Sequence, residues 1–437
     1  MSKSPIDLES FWMPFTDNRD FKSAPRMLDS AKGMYYYGED GHLKLDAAAG
    51  LWCTNAGHGR EEIANAVSQQ LLEMDFAPCF QVGHSLAFDY ASRLTALTPG
   101  DLNHVFFTNS GSEAVDTALK IALAWHKQRG DGSRQLMVGR EKAYHGVGFG
   151  GISVGGLGAN RNAFGSFVPA AYLPDCLNIH LNAFTSGIPE HGVELADNLE
   201  NIVSLHGADR IAAVIVEPVS GAGGVIMPPR GYLQRLRELC DRHGILLIFD
   251  EVITGFGRLG APFAAERFGV VPDIMTTAKG ITNGTIPLGA VFVRDKIYDS
   301  FMEKTDHGVE LFHGYTYSAH PVACAAGMAT LDIYNREGLL TRAKTIEPYW
   351  HKAIQRLQGA PRVIDTRSLG LIAAIQFQPI KERPGTIGLE LLKACFENGL
   401  MVRALGDTIA LSPSLIVTEE EIDTMVDIIL RQIQRLY

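Results

Sequence analysis

The chain has 437 residues, of which 46% are hydrophobic and 20% are charged, and its formal net charge is −10. A chain of this size is too long for one simple core and suits one large and one small domain. Acidic and basic residues are interspersed, so the negative net charge argues against a nucleic acid or an anionic membrane surface as a partner.

Signals for targeting, membrane insertion and metal binding are lacking. The first ten residues carry acids and no apolar stretch of a signal peptide, and the longest apolar runs have the length of strands. The six cysteines form no C-x-x-C pair, and the 14 histidines include no H-E-x-x-H motif. We therefore expect reduced thiols, a cytoplasmic location, no membrane span and no metal site.

The first elements are a strand and a helix. Residues 35–37 are three tyrosines that predict a strand within a mixed N-terminal segment. Residues 61–74 have the helical period, with Ile63, Val67 and Leu71 on one face.

From about residue 104 to 295, strand, turn and helix patterns alternate. The strand-like runs are apolar throughout, which is typical of strands buried on both faces. The pattern predicts a mostly parallel sheet with helices on each side, an α/β fold. The runs cover 104–107, 135–138, 211–216, 245–249 and 290–293.

A helix is predicted from near Pro229 to Gly244, where it ends because glycine suits the left-handed cap. The fourth strand run follows this helix directly. Past residue 330 the pattern changes to a smaller α+β unit. It has a helix over 388–398, strands over 400–403 and 408–412, and a final helix with the capping box Thr418-x-x-Glu421.

This change of pattern predicts two domains. The large domain covers 61–329, and the small domain combines 1–60 with 330–437.

Asp250 and Lys279 are the most informative pair. The apolar run 245–249 places Asp250 at the end of a buried strand, and Lys279 follows on a stretch that we interpret as a short polar segment. A lysine that forms a Schiff base with an aldehyde, and an acid that keeps a pyridine nitrogen protonated, are what pyridoxal phosphate chemistry needs. Taken singly, Asp250 is also explained as a turn cap and Lys279 as a surface lysine.

Two further segments follow strand ends, where ligands of open α/β sheets gather. The turn Ser110-Gly111-Ser112 opens a helix that runs to about residue 129 and offers free N–H groups to a phosphate, although a plain serine cap explains it too. Tyr144-His145 places an aromatic ring where it can lie on a pyridine, although a surface loop is the alternative.

The C-terminal half adds two candidates. Residues 313–321 are rich in aromatic and hydroxyl side chains and lead into a helix of small residues, 323–327, which permits close backbone approach. Arg403 ends a short strand and can clamp a carboxylate, although the residue taken alone favours a surface arginine.

A glycine motif provides a rival hypothesis. Gly146-x-Gly148-x-x-Gly151 mimics a dinucleotide fingerprint and would indicate a nucleotide-dependent oxidoreductase. No strand leads directly into it and no clear helix follows, so we interpret it as a flexible segment. A non-catalytic binding protein is a third and weaker hypothesis.

With these residues in view, the chain resembles the class III pyridoxal phosphate-dependent aminotransferases over essentially its whole length. The signature Leu247-Ile-Phe-Asp-Glu-Val-Ile-Thr-Gly-Phe-Gly-Arg258, with Lys279, is specific to that family. Segments 11–16, 50–58, 103–113 and 313–324 resemble the omega-amino acid–pyruvate subgroup. The resemblance implies fold type I and transfer of an amino group from a beta-alanine-like amine to pyruvate.

The resemblance also implies residue roles. Lys279 and Asp250 are the catalytic pair, and Thr316 reaches a phosphate in a second subunit, which implies a homodimer, or a tetramer built from it, with shared active sites. The cofactor contacts it implies are Ser110, Gly111, Ser112, Tyr144, His145, Glu217, Asp250, Val252, Lys279 and Thr316. The substrate contacts are Phe15, Trp52, Phe80, Tyr144, Ile253 and Arg403, which switches between binding a carboxylate and turning aside.

One departure from the wider family is informative. Relatives that use ornithine or 4-aminobutyrate carry a glutamate five residues after the position of Glu217, and this chain has Ala222 there. Arg403 therefore lacks an acidic partner, which favours the pyruvate-linked subgroup. A decarboxylase or aminomutase of the same fold remains an alternative, and the preferred amine and stereochemistry stay open.

Overall fold

The computed structural model describes residues 7–303 and 308–437. Residues 1–6 lie outside the described residues. They are part of the N-terminal segment in which the sequence shows no signal peptide pattern. Within these ranges, no helix combines the length and the apolar character needed to cross a bilayer.

Strands form three sheets. They are β1 (Leu28–Lys32), β2 (Tyr35–Gly38), β3 (Leu43–Asp46), β4 (His104–Thr108), β5 (Leu136–Arg140), β6 (Ala170–Leu173), β7 (Ile211–Val216), β8 (Leu246–Asp250), β9 (Ile274–Thr277), β10 (Gly289–Val293), β11 (Val363–Leu369), β12 (Ile372–Phe377), β13 (Leu400–Met401), β14 (Arg403–Ala404) and β15 (Thr408–Leu411).

Helices cover both faces of the largest sheet. The helices of the described ranges are α1 (Asn18–Ser23), α2 (Ala49–Trp52), α3 (Glu61–Glu73), α4 (Ser85–Thr95), α5 (Gly111–Gln128), α6 (Phe149–Val154), α7 (Gly158–Phe164), α8 (Ile179–Asn182), α9 (Asn198–His206), α10 (Tyr232–His243), α11 (Ala264–Phe268), α12 (Asp295–Met302), α13 (Pro321–Arg336), α14 (Leu339–Gln355), α15 (Ile387–Glu397) and α16 (Glu419–Leu436).

The central sheet has the strand order β4-β10-β9-β8-β7-β5-β6. Neighbours from β9 to β6 are parallel, and β10 runs antiparallel to both β4 and β9. Because β10 alone is reversed within this sheet, β4 runs in the same direction as β9, β8, β7 and β5. The mostly parallel sheet is confirmed, and the segments that follow these five strands lie at one edge.

Core residues on β8 show why the strand runs are apolar throughout. Leu247 and Phe249 pack into one buried cluster, while Leu246 and Ile248 pack into a second cluster on the opposite face. Alternate side chains therefore enter two cores, and neither face of the strand can be polar.

Most strand predictions are confirmed, and the segment before Lys279 holds a strand that was not predicted. The run 211–216 is β7 without change, and the run 245–249 is shifted by one residue in β8. The segment before Lys279, interpreted above as polar, is the fully buried strand β9. Thr276 and Thr277 misled the interpretation, although β-branched threonine fits a strand well.

Several helix predictions are confirmed by their termini. Gly244 caps α10 in the left-handed conformation, with φ of 63°. Thr418 and Glu421 form the reciprocal capping box of α16. We expected no helix after the glycine motif, and this prediction is wrong. Helix α6 begins at Phe149, inside that motif.

Of the two smaller sheets, one joins the N-terminal strands to the C-terminal part of the chain, and the other is built only from C-terminal strands. One has the order β1-β2-β3-β13, so the N-terminal strands pair with Leu400–Met401, and the other has the order β11-β12-β15-β14. The predicted strand over 400–403 is in fact two strands, because its halves on either side of Val402 join different sheets. The proposed domain boundaries stay a prediction.

Arg258 joins three parts of the chain. It is fully buried, and its Nη2 donates to Asn55 Oδ1 at 2.7 Å. Its Nη1 donates to the carbonyl of Leu371 at 3.2 Å and to the carbonyl of Pro413. Burial lowers the pKa of Arg258 to about 10, which still leaves it charged at neutral pH.

Replacing Arg258 with lysine should therefore lower the free energy of unfolding by about 3 kcal/mol, because one ammonium group cannot reach three diverging acceptors. The matched control is Arg356→Lys, an arginine that is 40% exposed and paired with Asp423 and Asp427. That change should cost less than about 1 kcal/mol. Chemical denaturation of both variants measures the difference, and equal losses would contradict the junction role.

Candidate active site

Asp250 lies at the carboxyl end of β8 and is 5% exposed. Its Oδ2 is 2.8 Å from Nδ1 of His145, and its Oδ1 accepts the N–H of Val252 at 3.1 Å. Asp250 therefore does cap the turn that follows β8, and its carboxylate also lines a cavity. The other ring nitrogen of His145, Nε2, is buried and has no hydrogen-bond partner among the described residues.

Lys279 follows β9 and begins a 3-10 turn, Lys279–Thr282. Its φ of 53° is in the left-handed region, which is costly for a residue with a side chain. Its Nζ donates to the carbonyl oxygen of Leu51 at 2.9 Å. Burial lowers the pKa of Lys279, which increases the share of the amine that is neutral and able to accept a proton.

A cavity of about 190 Å³ brings most of the predicted residues together. This is several times the roughly 30 Å³ that one water occupies in the liquid, so it has room for an organic ring. Its lining consists of Gly111, Ser112, Tyr144, His145, Gly146, Glu217, Asp250, Val252, Ile253, Ala278 and Lys279.

The N-terminus of α5 forms one end of this cavity. Ser110 is the N-cap, and its hydroxyl accepts the N–H of Glu113 at 3.2 Å, so the plain-cap explanation holds for this residue. The N–H groups of Gly111 and Ser112 come first in the helix and have no acceptor in the part of the chain that the structure describes. The Ser112 hydroxyl accepts the N–H of Val147 at 3.0 Å. This end suits a phosphate.

Glu217 fixes the loops on either side of the cavity. One carboxylate oxygen accepts the N–H of Tyr144, and the other accepts the N–H of Gly221, both at 2.9 Å. Burial raises the pKa of Glu217, and Arg140 donates to its carbonyl rather than to its carboxylate. Glu217 therefore fixes the backbone of Tyr144 in addition to lining the cavity.

A second cavity, of about 300 Å³, opens beside the first and shares Tyr144, Ile253 and Lys279 with it. Its remaining lining residues are Phe15, Leu51, Trp52, Leu157, Asn160, Ala222, Arg403 and Leu405. The Arg403 guanidinium has no carboxylate within 4.0 Å among the described residues, and burial lowers its pKa. Ala222 lies in the same lining, as expected for an arginine without an acidic partner.

Three predicted site residues line neither cavity as the described residues form it: the N-cap Ser110, Phe80 and Thr316. Phe80 is 58% exposed, and its ring lies near Gly314. Thr316 is exposed on the same segment.

The structure adds one feature that no sequence pattern indicated. The segment Ala49–Trp52 turns sharply, with φ of 46° at Ala49 and 65° at Trp52. This turn directs the Leu51 carbonyl towards Lys279 and places the Trp52 ring against Gly221, where an added Cβ would lie 2.5 Å from it.

The glycines of the dinucleotide-like motif serve packing. An added Cβ at Gly146 would lie 2.5 Å from the Ser112 hydroxyl, and at Gly148 it would lie 2.2 Å from an oxygen of Asp116. The motif therefore packs tightly against α5 and does not form an open loop around a pyrophosphate. The oxidoreductase hypothesis loses its only support.

The cavity fits pyridoxal phosphate. An unpaired helix N-terminus at Gly111 suits the phosphate, and the Lys279 amine suits the aldehyde. The Asp250 carboxylate has no lysine or arginine within 4.0 Å in the described ranges, so a cationic pyridine nitrogen would supply its missing partner.

Comparisons with known proteins agree with this chemistry. The sequence model of the family described as aminotransferase class III matches residues 17–433. The chain is 57% identical to an omega-aminotransferase of Caulobacter vibrioides, with 97% of each chain covered. It is 48% identical to a beta-alanine–pyruvate aminotransferase of Pseudomonas aeruginosa, with 97% of this chain and 95% of that one covered.

The fold agrees as well. The omega-transaminase of Pseudomonas jessenii, solved in complex with PMP, superposes with a TM-score of 0.93 at 31% identity. The match covers 98% of this chain and 97% of that one.

Glu251, next to Asp250, allows a test of the electrostatics beneath the site. It is fully buried and accepts the N–H groups of Ala264 and Ala265, each at 2.7 Å, and the hydroxyl of Thr254 at 2.8 Å. Burial raises the pKa of Glu251 from 4.5 to about 7. The folded protein therefore holds this proton more tightly than the unfolded chain does.

Glu251 should thus add stability at pH below 4.5 and lose that contribution as the pH rises towards 7. The amount is on the order of 3 kcal/mol. In Glu251→Gln the fall in stability between pH 4.5 and 7 that Glu251 causes should disappear, whatever the absolute stability of the variant. Thr254→Val removes a donor to the carboxylate and should move the decline to higher pH. Thermal unfolding from pH 4 to 8 measures this, and an unchanged slope in Glu251→Gln would refute it.

Proposed function

We propose, because this chain belongs to the class III aminotransferase family, that it moves an amino group from an omega-amino acid or a related amine to pyruvate. The products are alanine and an aldehyde or ketone. The enzyme is a pyridoxal phosphate-dependent transaminase, as its family is. The observation that carries the choice of substrate is a cavity with one arginine, Arg403, that has no acidic partner within the described residues and lies beside Lys279.

When bound, pyridoxal phosphate supplies an aldehyde that reacts with amines and a pyridine ring that accepts electrons. The cavity residues hold it by its parts. Gly111 and Ser112 would bind the phosphate, Asp250 would pair with the ring nitrogen, and Tyr144 and Val252 would lie on the two ring faces.

Lys279 has two roles in this proposal. Its amine would hold the cofactor between turnovers, and the free amine would remove the proton from the amine-bearing carbon of the substrate. A base must be neutral to accept a proton, and the lowered pKa of Lys279 meets that need. The Leu51 carbonyl, 2.9 Å from Nζ, gives the freed amine a fixed position at the cavity wall.

Asp250 would keep the nitrogen of a bound pyridine ring protonated. His145 accompanies it at 2.8 Å and orients the carboxylate, while the Val252 N–H holds the second oxygen at 3.1 Å. These contacts fix the carboxylate at the cavity wall, beside the place where a cation is needed.

Arg403 gives the specificity. Its guanidinium can bind the carboxylate of pyruvate or of an amino acid in a bidentate manner. Because Ala222 offers it no carboxylate, nothing has to be displaced when the substrate binds. Phe15, Trp52 and Ile253 form the apolar part of the cavity, which receives uncharged substituents.

The proposal includes a homodimer, or a tetramer built from it. The exposure of Phe80 and Thr316, away from the cavities of their own chain, supports a role for both residues at the site of a second subunit. The six cysteines are all free, which favours the proposed cytoplasmic location.

A half-reaction screen tests the function. Purified enzyme is mixed with single amines, among them beta-alanine, a diamine and an arylalkylamine, and loss of the visible cofactor absorbance is followed. Bleaching that pyruvate reverses, with formation of alanine, is the expected outcome. Release of carbon dioxide, or turnover without a keto acid, would favour a decarboxylase or aminomutase.

Lys279→Ala should abolish turnover, with a loss of at least about 10⁴-fold, because the proton shuttle and the covalent anchor are both removed. The fold should persist, as judged by far-ultraviolet circular dichroism. Borohydride reduction of the unmodified enzyme should label the peptide that contains Lys279. A label elsewhere, or activity in the variant, would disprove the assignment.

Arg403→Ala should raise the KM for pyruvate about a hundredfold or more, because a bidentate charged contact is lost. The KM for an arylalkylamine without a carboxylate should change much less. Arg230→Ala, which alters an arginine side chain that is 63% exposed, is the control. Equal effects of Arg403→Ala on both substrates would remove the specificity role.

A further inference from the structure

Two buried tyrosine hydroxyls hold the turn that carries Lys279. Tyr334 on α13 donates to the carbonyl of Gly280 at 2.6 Å, and Tyr90 on α4 donates to the carbonyl of Ile281 at 2.6 Å. Both side chains are fully buried, and neither lines the cavities described above. Their hydroxyls therefore act on the backbone that follows Lys279 and not on a ligand.

That backbone needs external support. Lys279 has φ of 53°, and Asn283, four residues later, has φ of 54°. Such conformations of residues with side chains persist only where the surroundings over-determine them. The Asn283 side chain accepts the N–H of Ala56 at 2.8 Å and donates to the carbonyl of Gly57 at 2.9 Å, which fixes the far end of the turn. The two tyrosines fix the end next to Lys279.

The packing around Tyr90 explains one small residue of α13, Gly327. An added Cβ at Gly327 would lie 2.2 Å from Cζ of Tyr90, so only glycine leaves room for the ring. The ring also stacks on Phe107, with centroids 5.8 Å apart. Burial raises the pKa of both tyrosine hydroxyls, so each stays protonated and remains a donor throughout the working range of the enzyme.

We propose that Tyr90 and Tyr334 are positioning residues for Lys279, because their hydroxyls fix the two carbonyls after it and thereby the direction in which Nζ enters the cavity. The inference rests on the proposed role of Lys279 and deepens it. The tyrosines touch neither the substrate nor the reacting atoms. They determine how accurately the amine that moves the proton is placed.

Tyr90→Phe and Tyr334→Phe, each made in the complete holoenzyme, test the proposal, because phenylalanine keeps the ring and removes only the donor. The kcat should fall about tenfold or more, since small misplacement of a reacting group is costly. The KM for the amine should change little. The deuterium isotope effect for an amine labelled at the amine-bearing carbon should rise, because proton transfer becomes slower. The pH midpoint of the visible absorbance of the lysine-bound cofactor should also shift.

Tyr349→Phe is the matched control. Its hydroxyl donates to Asp423 at 2.7 Å between α14 and α16, away from the cavities. It should lower the thermal midpoint by a few degrees, as the test variants do, without changing kcat, the isotope effect or the absorbance midpoint. Gly327→Ala should reproduce the changes of Tyr90→Phe, because the new methyl group displaces the Tyr90 ring.

A changed isotope effect or absorbance midpoint in either tyrosine variant, beyond that of Tyr349→Phe, supports the proposal. If one variant does not fold, the other decides. Loss of thermal stability alone, with both readouts unchanged, overturns the proposal and leaves the hydroxyls with a structural role.

Borohydride labelling separates failure of the proposed function from failure of the positioning role. A label on a residue other than Lys279 ends the proposed function, whereas a label on Lys279 with unchanged variants ends only this inference.

Discussion

The rest of the site depends on the cost of burying the Asp250 carboxylate. A buried charge must be paired or hydrogen-bonded, and the described residues offer this one a histidine and a backbone N–H but no lysine or arginine within 4.0 Å. An apolar strand in the middle of a parallel sheet places it at the edge where five strand ends meet. The exposed part of the Asp250 carboxylate faces a cavity. A cationic group of a ligand bound there would supply the positive partner that the carboxylate lacks.

Several residues of the segments that build the site have a strained backbone. Ala49, Trp52, Phe256 and Lys279 all have positive φ, which elsewhere favours glycine. The turns at Ala49–Trp52 and at Lys279 bring the Leu51 carbonyl and the lysine amine together at the cavity wall. Such strain is tolerable only because buried hydrogen bonds from Arg258, Asn283, Tyr90 and Tyr334 hold the surrounding segments.

Sequence patterns predicted the features that depend on local chemistry. The apolar run before Asp250, the glycine cap at Gly244 and the capping box at Thr418 each have a physical cause within a few residues. The strand before Lys279 was missed because its threonines look polar, although the sheet buries them on both faces. The Leu51 carbonyl, Tyr90 and Tyr334 lie far from Lys279 in sequence and act through single contacts. No period or motif could indicate them.

Three carboxyl groups at neighbouring strand ends show how position determines chemical role. Glu251 meets only backbone N–H groups and a hydroxyl in full burial, and its pKa rises to about 7. Both carboxylate oxygens of Glu217 accept hydrogen bonds from N–H groups of two loops, and burial raises the pKa of Glu217 too. Asp250 is the one of the three that has an imidazole at hydrogen-bond distance and an open side towards Lys279. The first two therefore shape the site, and only the third is placed to hold a cation in it.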